Sequence, residues 1–575
     1  MGILNNSNAI SVDSGYDITD SLRFRKSAGA YLNRTPSSEG NRKTFTLSTW
    51  VKRGQLGVVQ GIFDAYAGGN HFFEFKFDAA DKLSLYSIEN PGTYVDYSVL
   101  SDAVYRDTSA WYHIVLVINT PDSTQADRAI IYVNGVRQSV TNPQGAFDLN
   151  ATTQVNTVTQ HNLGRSTDTS TPSLDGYMTE INFVDGTAKA PSDFGESDSN
   201  GTWIPKKYLG TYGTNGFYLP MKPTTQATGF NTVLYTGNGG TQSITGVGFT
   251  PDLVWIKGRS VASGSITGHS ILDTIRGASN ELASNTTNAE GALNNSLYGD
   301  MTSFNSNGFT VIDGSDTSND TYNGSQDKYV AWCWDAGGST VTNTNGTIDS
   351  QVRANPSTGF SIATWTNESS GDDTVGHGLG VAPKLIITKL RSTTGDWYTQ
   401  TTAIDGGLDY LKLNDSNAAA SLPKALPTAD VFTTDMGGTT TAVAYCFADV
   451  TGYQKIDKYT GNGSATGPTV TTGFRPAFIL FKVTSEANGW VIYDTARNVS
   501  NPMTSQLYPN LSNAEATSSS YAVDVTDTGF AIKTSNGVIN ASGATYIYMA
   551  IAETRDAKFN FDASGNKNNW TPNNI

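Results

Sequence analysis

The sequence predicts an all-β protein built from two kinds of block, one larger sandwich and one smaller module written three times. Three observations predict it. The first is composition. Of 575 residues, 37% are hydrophobic, 15% charged and 11% aromatic, and 58 are glycine. Disordered chains are aromatic-poor and charge-rich, whereas this mixture suits short strands joined by turns. The second is period-two alternation in the N-terminal third, the pattern of half-buried antiparallel strands. The third is a recurring phrase: "VGFTPDLVWIKGRS" at 247–260, "LGVAPKLIITKLRS" at 379–392 and "TGFRPAFILFKVTS" at 472–485. Gly stands second, Pro fifth, Lys eleventh and Ser fourteenth in all three.

The N-terminal strands read in order as "SLRFRKS", "TFTLSTWVKR", "NHFFEFKFD", "AWYHIVLVIN", "RAIIYVNGVR" and "LDGYMTEINFVDG". Asn-Gly within "VNGV" is a two-residue hairpin turn. His113, inside an apolar strand, reads as a satisfied core residue.

The repeated phrase reads as a turn entering a core strand. Gly248, Gly380 and Gly473 permit a turn conformation that a Cβ would hinder. Pro251, Pro383 and Pro476 lack an N–H and suit a strand's first residue. "LVWIK", "LIITK" and "FILFK" follow as strands. Lys257, Lys389 and Lys482 end the apolar run, and their heads are expected to reach solvent. A second shared element, "LASNTTNAE" from Leu282, "LKLNDSNAA" from Leu411 and "LYPNLSNAE" from Leu507, reads as a loop whose Asn side chains bond nearby backbone. Each copy ends on an apolar strand, where Cys333, Cys446 and Ala550 share a column that wants a small buried side chain. The expected domains are 1–222 for the sandwich, then β-repeats 227–336, 357–450 and 451–553, with 557–575 as a tail.

Composition also excludes. A net charge of −15 disfavours nucleic-acid binding, which needs basic surface. Two cysteines make no disulfide framework. The N-terminus has no basic and apolar leader, and no apolar run is long enough to cross a bilayer, so membrane insertion is not expected.

Glucanases of sandwich fold carry a Glu-x-Asp-x-x-Glu strand. The nearest match, "ESDSNG" at Glu196, lacks the last Glu and reads as a loop. No zinc-protease, serine-hydrolase or nucleotide-loop motif is present. His377 in "GHGLG" reads as turn chemistry. Asp313, Asp316 and Asp320 lie in an oxygen-rich loop, a weak Ca²⁺ candidate without EF-hand spacing. Trp397 and Trp490 each fall eight residues after the repeat's Lys, where the first copy has Ser265. Core packing is the bland reading of these two rings and a glycan-stacking platform the sharper one.

The strand segments Phe45 to Trp50, Trp111 to Ile118, Ile131 to Val136, "NLGRS" and "LDGYMTEINF" resemble the LamG, or concanavalin A-like, jelly roll. The phrases "NRKTFTLSTWVKRG" and "PSDFGESDSNGTWIPKKYLGTYGTNGFYL" are similar to LamG-like proteins of marine tailed bacteriophage virions, and the triplicated module to an uncharacterised repeat of phage structural proteins. In that family "GTNGFYL" often proceeds to an ending like "SGNKNNWTPNN", so the repeats read as an insertion between two ends of one sandwich. The resemblance implies a non-enzymatic tail fibre or receptor-binding structural protein that recognises host glycan, assembles as a homotrimer with other tail or capsid proteins, and resides in the virion. It implies no cofactor beyond Ca²⁺ at the sandwich rim. A capsid head fibre or decoration protein and a glycan-degrading tailspike are the alternatives.

Overall fold

The computed structural model describes residues 16–575 apart from 69–70, 90–95, 167–172, 261–267, 317–319, 369–372, 435, 437 and 565. Two compact units divide the chain: residues 1–225 with 557–575, and residues 226–556. Strands dominate both, and the α-helices among the described residues are single turns, Asn295–Tyr298 and Gly537–Asn540.

The first unit is a two-sheet sandwich. One sheet runs Leu22–Phe24, Gly176–Asp185, Thr44–Arg53, Tyr112–Asn119, Ala129–Val133, Val136–Arg137, with Phe217–Leu219 also on Gly176–Asp185. The other runs Val140–Thr141, Tyr97–Ser101, Leu83–Ile88, His71–Phe77, Gln60–Gly68, Gln160–Leu163, Tyr31–Arg34, Thr571–Asn573. Alternate residues of both, among them Phe45, Leu47, Phe73, Phe75, Leu116 and Phe183, fill the space between. Asn134 (φ 50°) and Gly135 (φ 78°) both take the left-handed conformation that a two-residue hairpin turn demands.

The last strand comes from the chain's end. Thr571–Asn573 pairs with Tyr31–Asn33, and Trp570 is buried 4.9 Å from Phe217, centroid to centroid. Asp562 accepts from the Tyr218 N–H at 2.9 Å, and Asn568 Nδ2 donates to the Gly216 carbonyl at 2.8 Å.

In the second unit each module builds the same sheet. An opening strand pairs with the closing strand, which pairs with the strand after the repeat's Pro, here the lead strand, which pairs with a fourth. The lead strands are Leu253–Ser260, Leu385–Leu390 and Pro476–Val483; the closing strands are Lys328–Trp334, Thr441–Phe447 and Thr545–Ala552. Gly248, Gly380 and Gly473 all have positive φ, 88°, 71° and 90°.

One face of all three sheets enters a single core. Trp255, Trp332 and Trp334 from the first module meet Ile387, Tyr445 and Phe447 from the second and Phe478, Leu480 and Met549 from the third. The repeat taken alone predicts three domains in series. The modules instead close a ring, because their inward faces carry large apolar side chains that only the other two modules cover. The outward faces have smaller cores of their own. In the first and third modules a three-stranded sheet covers that face. In the second the cover is two strands, Asp373–Gly376 and Val431–Thr434.

Candidate functional site

Alternation along the eight-stranded sheet of the sandwich decides which side chains face out. Phe63, Phe73, Phe75, Leu85 and Leu163 point into the core. Their neighbours Asp64, Glu74, Lys76, Tyr86 and Asn162 therefore lie on the opposite face. The register lines them up: Asn33, Asn162, Asp64, Glu74, Tyr86 and Ser98 are successive cross-strand partners. Gln160 Nε2 donates to Asn162 Oδ1 at 2.8 Å, and Asn162 Nδ2 donates to Asp64 Oδ1 at 2.7 Å. Ser166 Oγ and Lys76 Nζ both donate to Glu74. Lys76 Nζ also lies 5.1 Å from the Tyr86 ring centroid. Two carboxylates directly opposite would repel; here each accepts hydrogen bonds. Asn162, Asp64, Glu74 and Ser98 are buried, so the groups this face presents to a ligand are the partly exposed Asn33, Lys76 and Tyr86, an amide, an ammonium and a tyrosine face, which suit hydroxyls and apolar ring faces. Linear spacing gives no sign of it, since Asp64 and Glu74 meet only through strand pairing.

The tryptophans do not form a platform. Trp397 and Trp490 are 0% and 1% exposed, inside the shared core, so neither ring can stack on a sugar. Each indole N–H crosses to the next module: Trp397 Nε1 donates to the Ala283 carbonyl at 2.8 Å and Trp490 Nε1 to Lys412 at 2.9 Å. Ser265 lies outside the described residues. The first module's counterpart by register is His269, opposite Lys257. Its Nδ1 accepts from Trp255 Nε1 at 2.9 Å, so Nε2 carries the proton and donates to the Tyr508 carbonyl at 2.9 Å. Burial holds this imidazole neutral, far below its ordinary pKa.

The repeat lysines also differ from expectation. Lys257, Lys389 and Lys482 are 1%, 0% and 0% exposed. Each ammonium donates to a carbonyl in the Asn-rich loop of another module: Lys257 to Ser512 at 3.1 Å, Lys389 to Thr287 at 3.3 Å and Lys482 to Ser416 at 3.3 Å. The physical reason is the ring, which brings carbonyls to a position that would be solvent in an isolated module. Burial lowers Lys257 to about 7 and Lys389 and Lys482 to about 8. The first Asn of each loop, Asn285, Asn414 or Asn510, accepts from the N–H of His269, Trp397 or Trp490 at 2.9, 2.8 and 3.2 Å.

Among the described residues no three His, Cys, Asp or Glu side chains gather as a metal site. Asp313, Asp316 and Asp320 are not drawn together as ligands. Asp313 accepts from the Gly314 N–H at 3.0 Å, and Asp320 from the Asn323 N–H at 3.5 Å. Glu196, expected in a loop, lies in the short strand Gly195–Ser197 and faces Lys206 at 3.6 Å. His113 is stacked between Trp50 and Trp203. His377 is a turn residue, as its sequence suggests, lying just past the strand Asp373–Gly376 with Nδ1 accepting from the Leu379 N–H, and it is buried. Cys333 and Cys446 are buried and free, and burial pushes both thiols up.

A family described as a domain of unknown function (DUF7483) matches residues 225–555, more than half of the sequence. The chain belongs to this family. The match treats the three modules as one stretch, in keeping with their common core. Residues 26–191 match the concanavalin A-like lectin/glucanases superfamily, a laminin G class, which identifies the sandwich. No curated protein matches the chain. Among solved structures, a sialidase CBM40 of Ruminococcus gnavus bound to α2,3-sialyllactose is 14% identical over 28% of this chain and 88% of its own, with a TM-score of 0.21. A SAP-like pentraxin of Limulus polyphemus is 14% identical over 30% and 80%, TM-score 0.23. Domain 4 of a Geobacillus stearothermophilus arabinanase, solved with arabinotriose, is 18% identical over 31% and 75%, TM-score 0.23.

Proposed function

We propose that the chain is a non-enzymatic virion appendage protein of a marine tailed bacteriophage, a tail fibre or receptor-binding structural protein. It binds host surface glycan on the outer face of its lectin-type sandwich and works as a homotrimer. The observation that carries this reading is the partly exposed group Asn33, Lys76 and Tyr86, held in place over the buried cross-strand partners Asn162, Asp64 and Glu74. Binding is favoured over hydrolysis because both carboxylates are committed as acceptors, Asp64 from Asn162 and Glu74 from Ser166 and Lys76. A capsid head fibre would use the same face.

A glycan array with the full chain tests this. At least one glycan bound by the chain should be lost in Tyr86→Ala and in Lys76→Ala; retention of every bound glycan by both variants defeats the assignment. Immunogold labelling of particles separates tail from head, and native mass measurement tests the trimer. The cross-strand carboxylate pair favours one second reading, a tailspike glycosidase, since a close pair can serve as acid and nucleophile. Depolymerisation of host polysaccharide that Glu74→Gln abolishes would establish that reading instead.

A further inference from the structure

The second module departs from its two siblings on its outward face. In the first and third modules, Asp300–Asn305 and Val523–Thr526 supply the third strand of the covering sheet. The second module has "SLPKALPTAD" there, with Pro423 and Pro427. A proline cannot donate to a ladder, and two of them four residues apart keep this segment from completing that sheet. The cover over the sheet beneath is thinner: a cavity remains there, with Leu422 of this segment in its wall.

The side chains on that face have changed with it. Three outward positions hold Ile256, Ser270 and Leu272 in the first module and Phe481, Val491 and Tyr493 in the third, all at most 1% exposed. The second module has Thr388, Tyr398 and Gln400 at the same register. Strand alternation turns Trp397 into the shared core and its neighbour Tyr398 outward, where it is 37% exposed. Tyr410 lies beside it, centroids 5.7 Å apart at 51°. The resulting cavity, 460 Å³, is lined by Thr388, Tyr398, Gln400, Tyr410, Asp396 and Thr434 among others. Gln400 is 6% exposed, and its Oε1 has no hydrogen-bond partner. A buried amide oxygen left unpaired costs stability unless something donates to it. Asp396 is held by Lys412 at 2.6 Å and Asn414 at 2.8 Å, which fixes its carboxylate at the rim.

From this geometry we infer a second ligand site, specific to the second module, that takes a saccharide unit. The two tyrosines supply faces for a sugar's C–H surface, and Gln400 and Asp396 supply partners for its hydroxyls. The cavity is of small-molecule size, apolar and aromatic on one side with a few convergent polar groups. The site is independent of the sandwich row.

The test uses the full chain on an array of printed mono- and oligosaccharides, with direct titration of each that binds. Two variants remove the site: Gln400→Leu, which restores the first module's residue, and Tyr398→Ala. Tyr398→Phe keeps the ring as a folding control, and thermal melts check all three. Tyr86→Ala removes the sandwich row instead. The expected result is at least one saccharide whose affinity falls roughly tenfold or more in Gln400→Leu and Tyr398→Ala, and which Tyr398→Phe and Tyr86→Ala leave within about twofold. No binding at all, or binding lost only in Tyr86→Ala, overturns the inference; the latter leaves the sandwich reading standing.

Discussion

The three seams of the ring share one backbone plan and differ in charge. At each, the last residue of an Asn-rich loop donates its N–H to a neighbouring lead strand: Glu290 to Arg391 at 2.8 Å, Glu515 to Arg259 at 2.9 Å and Ala419 to Thr484 at 2.8 Å. At the first two seams the same residues also form ion pairs, Arg391–Glu290 and Arg259–Glu515, both 2.8 Å. At the third, both partners are replaced together, by Thr484 and Ala419. A deeper layer repeats the contrast. Tyr445 donates to Asp273 and Trp332 to Asp494, each carboxylate held by its own arginine, Arg276 or Arg497. The third seam has Met549, Thr401 and Ile404 at the corresponding positions. Backbone bonds, buried lysines and indole or imidazole N–H groups are thus enough to close a seam. The charges carry different information, the order of the modules. In the reverse order Arg259 would face Ala419 and Glu290 would face Thr484, each a half-buried charge without its partner.

The largest expected effect breaks this contrast at its deepest point. Arg276→Met leaves Asp273, 0% exposed, facing Tyr445 with no counter-charge of its own, and Glu290 loses one of two arginines. Removing one member of a buried pair costs about 3–5 kcal/mol. The matching change at the neutral seam, Ile404→Met, is volume-conserving and should cost under about 1.5 kcal/mol. Denaturant midpoints of the two variants measure the difference. Equal midpoints would mean the charged layer does no more than the apolar one.

A smaller effect sharpens it. Thr484→Arg with Ala419→Glu writes the missing ion pair into the third seam. Thr484 Oγ1 gives up its bond to the Thr545 carbonyl, so net stability is a poor readout. The coupling in a double-mutant cycle isolates the new pair. It should be favourable by about 1 kcal/mol, since the existing pairs are only partly exposed. Zero coupling would mean the third seam's backbone cannot present the two side chains to each other.

Much of the fold was legible. Strands such as Thr44–Arg53 and Gly176–Asp185 coincide with alternating runs, and turn chemistry marked the Asn134–Gly135 hairpin. The four-element repeat gave the modules. It did not give the ring, because an inward Trp332 or Phe478 looks the same whether its cover comes from its own module or another. The lysines were misplaced for that reason: their carbonyl partners belong to a different copy. His269 escaped the column because Lys257 and His269 are twelve residues apart where Trp397 and Trp490 follow their lysines by eight. The sandwich row depends on register, which no linear spacing encodes. The thinner cover of the second module had a signal in Pro423 and Pro427, readable only once the siblings' covering strand is known.

The smallest effect should be the same at all three seams, which makes it the control for the comparison. Lys257, Lys389 and Lys482 are lowered by burial to about 7, 8 and 8, whereas an unfolded lysine titrates near 10.4. Between these values the unfolded chain holds a proton that the folded chain has released, so stability rises with pH. Below the folded values both states are protonated and the burial penalty is present in full. Glu281, raised to about 7 by burial, runs the other way, but its change is largely complete by pH 8. From pH 8 to 9.5 the second unit should therefore gain stability, on the order of 1 kcal/mol per lysine. Lys389→Met and Lys482→Met should each flatten that rise by a similar amount, though one lysine crosses a charged seam and the other the neutral one. Thermal midpoints read across that window decide it. A slope lost at the charged seam but kept at the neutral one would show that the ion pairs, not burial alone, set the lysine's proton affinity.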